Sequence, residues 1–212
     1  SALAARVFTA DEVTVSFTGS AADRARFWET GGTLGLAHAG SVAHALEIPT
    51  PEPRNEGFVI PSPVCYVTRA AGRSAADAGA PGQWAVAARA LSYDYLWNEV
   101  RVKGGAYGCG FRRSTEGLTL FWSFRDPSVD ATLARYDAAA AWLAGWEPTP
   151  EELDGYVVAT VAAHDAPLKP RQLARRQDAA RFDGRPAGWR DAVREQELSA
   201  TAEGLRGLAA TL

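Results

Sequence analysis

The chain has 212 residues, of which 47% are hydrophobic and 22% charged, and its formal net charge is −3 at pH 7. This is ordinary globular composition, and the small negative charge provides no basic field for nucleic acid or an anionic membrane. No apolar run approaches the roughly 18 residues of a membrane span, and the first residues do not have the pattern of a signal peptide. We therefore expect a cytoplasmic protein with no nucleic-acid or membrane partner.

The chain contains two cysteines, Cys65 and Cys109, and no methionine. One disulfide between them is possible, but two reduced thiols are the better expectation for a cytosolic protein. Because an initiator methionine is missing, we expect either a processed chain or a fragment of a longer one.

The first third of the chain predicts few regular elements. Apolar and polar residues alternate over 13–18, which predicts a half-buried strand. Residues 21–44 are weakly helical. Residues 58–68 resemble a strand, but Pro61 and Pro63 predict that it is an edge strand or is broken.

The middle of the chain predicts a helix followed by a hairpin. Apolar residues at helical spacing indicate a helix over about 81–102. Two strands, over 106–114 and 118–124, flank a turn at 115–117 and form the hairpin. We expect Trp122, on the second strand, to lie in the hairpin core.

The last part of the chain predicts helices. Asp126 has the position of an N-cap for a helix that reaches about Gly145, and residues 149–152 open another helix. Residues 168–212 predict two or three further helical pieces. The fold class is therefore α+β, with a mostly antiparallel sheet and helices packed on one face, in a single module over 1–212.

A zinc site is a weak candidate in this sequence. The segment H-A-L-E-I at 44–48 is close to the inverted zinc motif H-x-x-E-H, but Ile48 stands where the second histidine is needed. Catalytic zinc requires three protein ligands, and His44 and Glu47 have no evident partner. We expect a solvated helix face here and no metal in this chain.

The glycine-rich segment 101–110 is a second candidate. It follows a helix and opens a strand, whereas a phosphate loop follows a strand and opens a helix. A purely structural interpretation places Arg101 and Lys103 at the negative end of a helix dipole and Gly104 at a left-handed cap. Tyr107 would then be a cross-strand aromatic residue. The spacing of these residues alone gives no reason to prefer a functional role over this structural one.

Longer strings add information. The string L-W-N-E-V-R-V-K-G-G-A-Y-G (96–108) resembles a segment of the C-terminal half of the pitrilysin/insulinase family of zinc metallopeptidases. The presequence-protease branch is the most similar. Four further segments resemble that branch in the same order, over more than half of the chain: 61–67, 123–127, 132–137 and 164–170.

The resemblance implies specific roles for residues of the glycine-rich segment. In the family, zinc lies in the first of four similar modules, and the C-terminal half contributes an arginine and a tyrosine to the bound peptide. Arg101 and Tyr107 occupy these positions. Tyr107 would contact the developing oxyanion, and Arg101, Gly104 and Gly105 would bind substrate.

The function implied by the resemblance is that of a C-terminal, zinc-lacking module of a presequence-protease-like metalloendopeptidase. Its partners would be the N-terminal half of the same polypeptide, which holds the zinc, and an unstructured peptide substrate. The isolated chain is expected to be inactive. Two alternatives remain, a non-catalytic scaffold of this fold and a free-standing peptide-binding module.

Overall fold

The computed structural model describes residues 8–32, 35–38, 52–72, 80–115 and 117–212. The chain divides into two compact units, one drawn from residues 1–58 and 167–185 and the other from 59–166 and 186–212. The H-A-L-E-I segment at 44–48 lies outside the described residues.

The described residues form three strands, seven α-helices and a π-helix. In chain order these are α1 (Ala21–Glu29), β1 (Cys65–Ala71), α2 (Pro81–Ala90), the π-helix (Leu91–Val102), β2 (Gly108–Arg113), β3 (Thr119–Asp126), α3 (Val129–Ala144), α4 (Pro150–His164), α5 (Pro170–Phe182), α6 (Trp189–Leu198) and α7 (Ala202–Gly207). Short 3-10 turns add Ala10–Glu12 and Leu208–Thr211. None of these helices combines the length and hydropathy needed to cross a membrane.

The first unit contains α1 and α5. The hydroxyl of Ser20 caps α1 by accepting from the amide of Asp23 at 3.1 Å. The predicted strand over 13–18 is wrong, because these residues pair with no described strand. Alternation of polar and apolar side chains cannot make a strand where no neighbour completes its hydrogen bonds.

The second unit contains the sheet, whose strand order is β1-β3-β2 with both pairs antiparallel. The predicted hairpin is confirmed as β2–β3, and the sheet has the expected α+β character. β1 begins only at Cys65, after the two prolines, and it lies at one edge of the sheet that the described residues form, one of the two outcomes predicted. Cys65 and Cys109 are both free thiols.

One face of the sheet packs against the helices and holds the core. Phe121 of β3 is 6% exposed, and its ring lies 4.6 Å from the Phe111 ring and 5.2 Å from the Tyr136 ring. Thr119 and Ser123 share this buried face. Trp122 is therefore not in the core as predicted: it points to the other face with Phe124, and both are partly exposed. The described helices cover one face of the sheet, and alternation does not tell which face that is.

The predicted helix over 81–102 exists, but its second half is a π-helix. The amide of Lys103 donates to the carbonyl of Asn98 at 2.9 Å, an i→i+5 bond.

Asp94 fixes this segment to the helical layer. Its carboxylate accepts from Trp146 Nε1 at 3.1 Å and from the Tyr156 hydroxyl.

The predicted N-cap role of Asp126 is wrong. β3 continues through Asp126, and α3 starts after Ser128. The Asp126 carboxylate is completely buried and accepts from Ser123 Oγ at 2.6 Å, Thr132 Oγ1 at 2.8 Å and the Ser128 amide at 2.9 Å. Asp126 therefore joins the end of β3 to α3 instead of capping α3 directly.

Helix α4 begins with a capping box, and its other end is joined to α6 by polar side chains. Thr149 and Glu152 form a capping box at the start of α4, as the 149–152 segment predicts. At the other end of α4, His164 Nδ1 lies 3.0 Å from Glu197 Oε1, and both side chains are buried. Arg194 of α6 also pairs with Asp165, which lowers the pKa of that carboxyl.

Candidate functional site

An open groove of about 520 Å³ lies between the helical segment and the exposed face of the sheet. The π-helix and α2 form one wall, and β2 and β3 form the other. Its lining is mainly aromatic and cationic: Arg89, Tyr93, Trp97, Arg101, Tyr107, Trp122 and Phe124, with smaller residues between them.

The turn between the π-helix and β2 sets the position of the predicted site residues. Arg101 lies in the last turn of the helix, as predicted. The left-handed residue is Gly105, with φ +83°, and not Gly104 as predicted. Gly104 is needed for space, because a Cβ there would lie 2.4 Å from the Val100 carbonyl oxygen. The chain thus leaves the helix one residue later than cap chemistry alone predicts.

Tyr107 stands at the entrance of β2, one residue before the strand begins. Its amide donates to the Arg125 carbonyl at 3.3 Å, which holds its backbone against β3. Its ring meets the Phe124 ring edge-on at 5.5 Å, yet 60% of the residue is exposed. The structure shows no bond between its hydroxyl and another described residue. This hydroxyl is available to a ligand in the groove.

Arg101 and Tyr107 face the same groove. The guanidinium carbon of Arg101 lies 3.9 Å from the centre of the Trp97 ring and 5.9 Å from that of Tyr107. Stacking on an aromatic ring leaves the N–H groups at the edge of a guanidinium free to donate. The two residues that the resemblance singles out are therefore brought together, with the glycine turn between them.

Two glycines of β2 let aromatic rings form the floor of the groove. A Cβ on Gly108 would lie 2.2 Å from the Phe124 ring, and one on Gly110 would lie 2.7 Å from the Trp122 ring. These are their partners across the strand pair. The Trp122 and Phe124 rings stack on each other at 5.9 Å and 22°. The rings can lie across β2 only because these glycines have no side chains.

β2 is an edge strand of the described sheet, and the helical segment partly closes that edge. The Ser92 hydroxyl accepts from the Phe111 amide at 3.1 Å and lies 3.3 Å from the Phe111 carbonyl oxygen. The part of β2 before Phe111 has no such cover among the described residues. An extended chain could therefore pair with β2 only along its first residues.

The groove is lined by positively charged side chains and by the partly buried thiol of Cys109. Arg89 and Arg101 line it, and none of the described aspartates or glutamates does. Cys109 donates its thiol hydrogen to the Leu96 carbonyl at 3.2 Å, and burial raises its pKa to about 11. Since thiolate is the reactive form, Cys109 is unsuited to act as a nucleophile near neutral pH.

The described residues do not bring three metal-ligating side chains together at any point. The donor set that catalytic zinc requires is therefore absent from the residues that the structure describes.

Sequence reasoning missed four residues that shape the site. The sequence predicts that Trp122 lies in the hairpin core, and it does not single out Trp97, Phe124 or Arg125. Gly108 and Gly110 could have predicted the position of the Trp122 and Phe124 rings. Small residues opposite large aromatic residues indicate rings that fold across the strand.

Comparison with known proteins identifies the family. Residues 55–210 match the family described as the PreP C-terminal domain, and the chain belongs to this family. It is 35% identical over 117 residues to protein HypA of Clostridium perfringens and 36% identical over 115 residues to presequence protease 1, chloroplastic/mitochondrial, of Arabidopsis thaliana. These alignments cover 54% and 53% of the chain, but only 12% and 11% of the relatives. The resemblance to the presequence-protease branch is confirmed.

Solved structures show the same fold. A Bordetella pertussis Tohama I protein assigned to the zinc proteases superposes with a TM-score of 0.57 at 17% identity, over 71% of this chain and 88% of that one. Pitrilysin superposes with a TM-score of 0.50 at 16% identity, over 69% of this chain and 16% of that one. At these identities the comparison establishes the pitrilysin-like fold, and the chemistry has to be argued from the groove.

Proposed function

We propose that this chain is the zinc-lacking C-terminal module of a metalloendopeptidase, and that its groove forms one wall of the peptide chamber. The observation that carries the proposal is the convergence of Arg101 and the exposed Tyr107 hydroxyl on one groove. The partner would be the N-terminal half of the same polypeptide, which would hold the zinc. A cytoplasmic location stays a prediction; two relatives are named for mitochondria or chloroplasts.

Hydrolysis of a peptide bond builds negative charge on the carbonyl oxygen, and Tyr107 is suited to stabilise it. Its hydroxyl has no competing partner among the described residues, and its backbone is fixed to β3. A donor aimed at the oxygen where charge develops lowers the barrier more than it strengthens substrate binding.

Arg101 is suited to hold the substrate backbone. Stacking on Trp97 orients its guanidinium while leaving donors for peptide carbonyl oxygens. The turn at Gly104 and Gly105 allows a close approach, and the peptide would pair with the start of β2 as far as Ser92 permits.

The test is a kinetic comparison in the full-length protein. Tyr107→Phe is expected to lower kcat by about 10²–10³-fold with little change in KM, the usual cost of one oxyanion donor. Arg101→Ala is expected to raise KM as well, because a substrate clamp also acts in the ground state. Tyr66→Phe is a matched control, since Tyr66 is 67% exposed on β1 and does not line the groove.

Thermal midpoints separate chemistry from folding. Both groove variants should unfold within a few degrees of the wild type, because Tyr107 is exposed and Arg101 only half-buried. If Tyr107→Phe turns over at the wild-type rate, the proposal fails, and the turn has the purely structural role of ending a helix and starting a strand.

A further inference from the structure

Arg125 has an unusual backbone conformation beside the groove. Its φ is +48°, and it is the only described residue other than glycine with a positive φ. The β1–β3 register places Cys65 opposite Asp126 and Tyr66 opposite Phe124, so Arg125 has no partner on β1. It is the extra residue of a β-bulge. Bulges of this kind redirect a side chain, and they often occur beside functional sites.

The surrounding structure holds this conformation from both sides. On the buried side, the Asp126 carboxylate accepts three hydrogen bonds, from Ser123, Ser128 and Thr132. On the other side, the Arg125 carbonyl accepts from the Tyr107 amide. The bulge therefore ties the end of β3 to the same tyrosine that stands in the groove.

Arg101 and Arg125 both approach the ring of Tyr107. The guanidinium carbon of Arg125 lies 5.3 Å from the ring centre, and that of Arg101 lies 5.9 Å from it. Neither arginine takes part in an ion pair with another described residue. Arg125 stands beside the groove, whose lining contains Arg89 and Arg101 and, among the described residues, no carboxylate. In a chain of net charge −3, this is a local concentration of unpaired cations.

We propose that Arg101 and Arg125, which both approach the Tyr107 ring, form a two-guanidinium subsite for a carboxylate of the bound peptide. The inference rests on the proposed peptide-binding function. A carboxylate would neutralise charge that no described carboxylate balances and would accept N–H donors that stacking leaves free. Substrates with an acidic group at this position are therefore bound in preference to their neutral counterparts.

The experiment measures binding of four matched peptides to the chain by titration calorimetry at low and high salt. One pair carries Glu or Gln at a single central position, both with amidated C-termini. The other pair carries Gln at that position and ends in a free or an amidated carboxyl group. The first pair tests an acidic side chain as the source of the carboxylate, and the second tests the C-terminus.

Three variants locate the effect. Arg125→Gln removes the charge, and Arg125→Gly removes the side chain while placing at φ +48° the one residue that tolerates it without strain. Arg112→Gln is the control, because Arg112 is an exposed arginine of the neighbouring strand β2, whereas the arginines at the Tyr107 ring are Arg101 and Arg125.

The wild type should bind one acidic peptide about three- to tenfold more tightly than its neutral partner, and the preference should weaken with salt. Both Arg125 variants should lose this preference while keeping affinity for the neutral peptides, and Arg112→Gln should keep it. Equal affinities in the wild type, or equal losses in the Arg112 control, would overturn the subsite alone. If no peptide binds at about millimolar concentration, the proposed function fails, and the subsite with it.

Discussion

The two faces of the sheet both carry aromatic residues, but one face is buried and the other is partly exposed. The covered face carries Phe111 and Phe121, which are at most 6% exposed, and the open face carries Trp122 and Phe124, which remain partly exposed. Both pairs are aromatic: Phe111 and Phe121 are partners across β2 and β3, and Trp122 and Phe124 are two residues apart on β3. The difference shows that aromatic content alone identifies neither a core nor a binding surface. What separates the faces is the layer of helices on one of them.

The largest expected contrast is between neighbouring aromatic residues of β3. Phe121→Ala should lower the free energy of unfolding by about 3–5 kcal/mol, because it leaves a cavity between Phe111 and Tyr136. Trp122→Ala should cost only about 1–2 kcal/mol, because its ring keeps contact with water in the folded state. Urea denaturation of both variants measures the contrast, and equal losses would mean that the faces do not differ in this way.

A second contrast concerns carboxylates at the end of the sheet. Asp126→Ala should cost about 3 kcal/mol, because it strands the buried hydroxyls of Ser123 and Thr132 without their acceptor. Asp130 is the control, an exposed carboxylate in the first turn of α3. Asp130→Ala should cost less than about 1 kcal/mol, the usual value of a charge near a helix terminus. A loss at Asp126 as small as that at Asp130 would refute the anchoring role given to the buried carboxylate.

Glycines give a third and smaller contrast. A Cβ on Gly82 of α2 would meet the Val193 carbonyl oxygen at 2.2 Å, and this backbone of α6 cannot move aside easily. Gly82→Ala should therefore cost about 2–3 kcal/mol. A Cβ on Gly108 would meet only the far end of the Phe124 ring. Gly108→Ala should cost about 1 kcal/mol, since that ring can swing toward solvent, but it should reshape the groove and weaken peptide binding.

Stability and binding measured on the same two proteins test this pair. If Gly108→Ala binds peptide like the wild type, the aromatic floor does not take part in binding. A Gly82→Ala protein that is less stable but binds normally would show that packing between helices and the groove are separable.

The smallest expected effect concerns pH. Burial raises the pKa of Cys109 to about 11, so the folded state holds this proton more tightly than the unfolded chain does. The resulting stability is fully present below pH 9 and falls as the pH rises through about 11. At pH 8, alkylation of Cys109 in a Cys65→Ser background should be about ten- to a hundredfold slower than that of a free thiol. Alkylation at the free-thiol rate would contradict burial of Cys109.

The order of helices and strands could be predicted from the sequence because the signals that set it lie within a few residues of each other. The capping box at Thr149, the period change across the glycine turn and the two prolines before β1 each act over a few residues. Arg101 and Tyr107 could be singled out by resemblance, and their convergence follows from the short turn between them.

The parts that could not be predicted depend on distant partners. The strand expected over 13–18 found no described neighbour, and the buried face of β3 was settled by helices elsewhere in the chain. The bulge at Arg125 arises from pairing with β1, which lies more than fifty residues earlier. Neither local propensity nor spacing contains that information.

The π-helix has a consequence for insertions and deletions in this family. Its i→i+5 bonding accommodates more residues in a turn than an α-helix does, and Arg101 stands at its far end. Deleting one residue between Trp97 and Arg101 would favour the α-helical bond and rotate every later side chain by about 100° relative to Trp97. The guanidinium would then leave the Trp97 ring and the groove, although no groove residue had been substituted. A one-residue gap in this helix is therefore a more serious change than most substitutions of exposed residues.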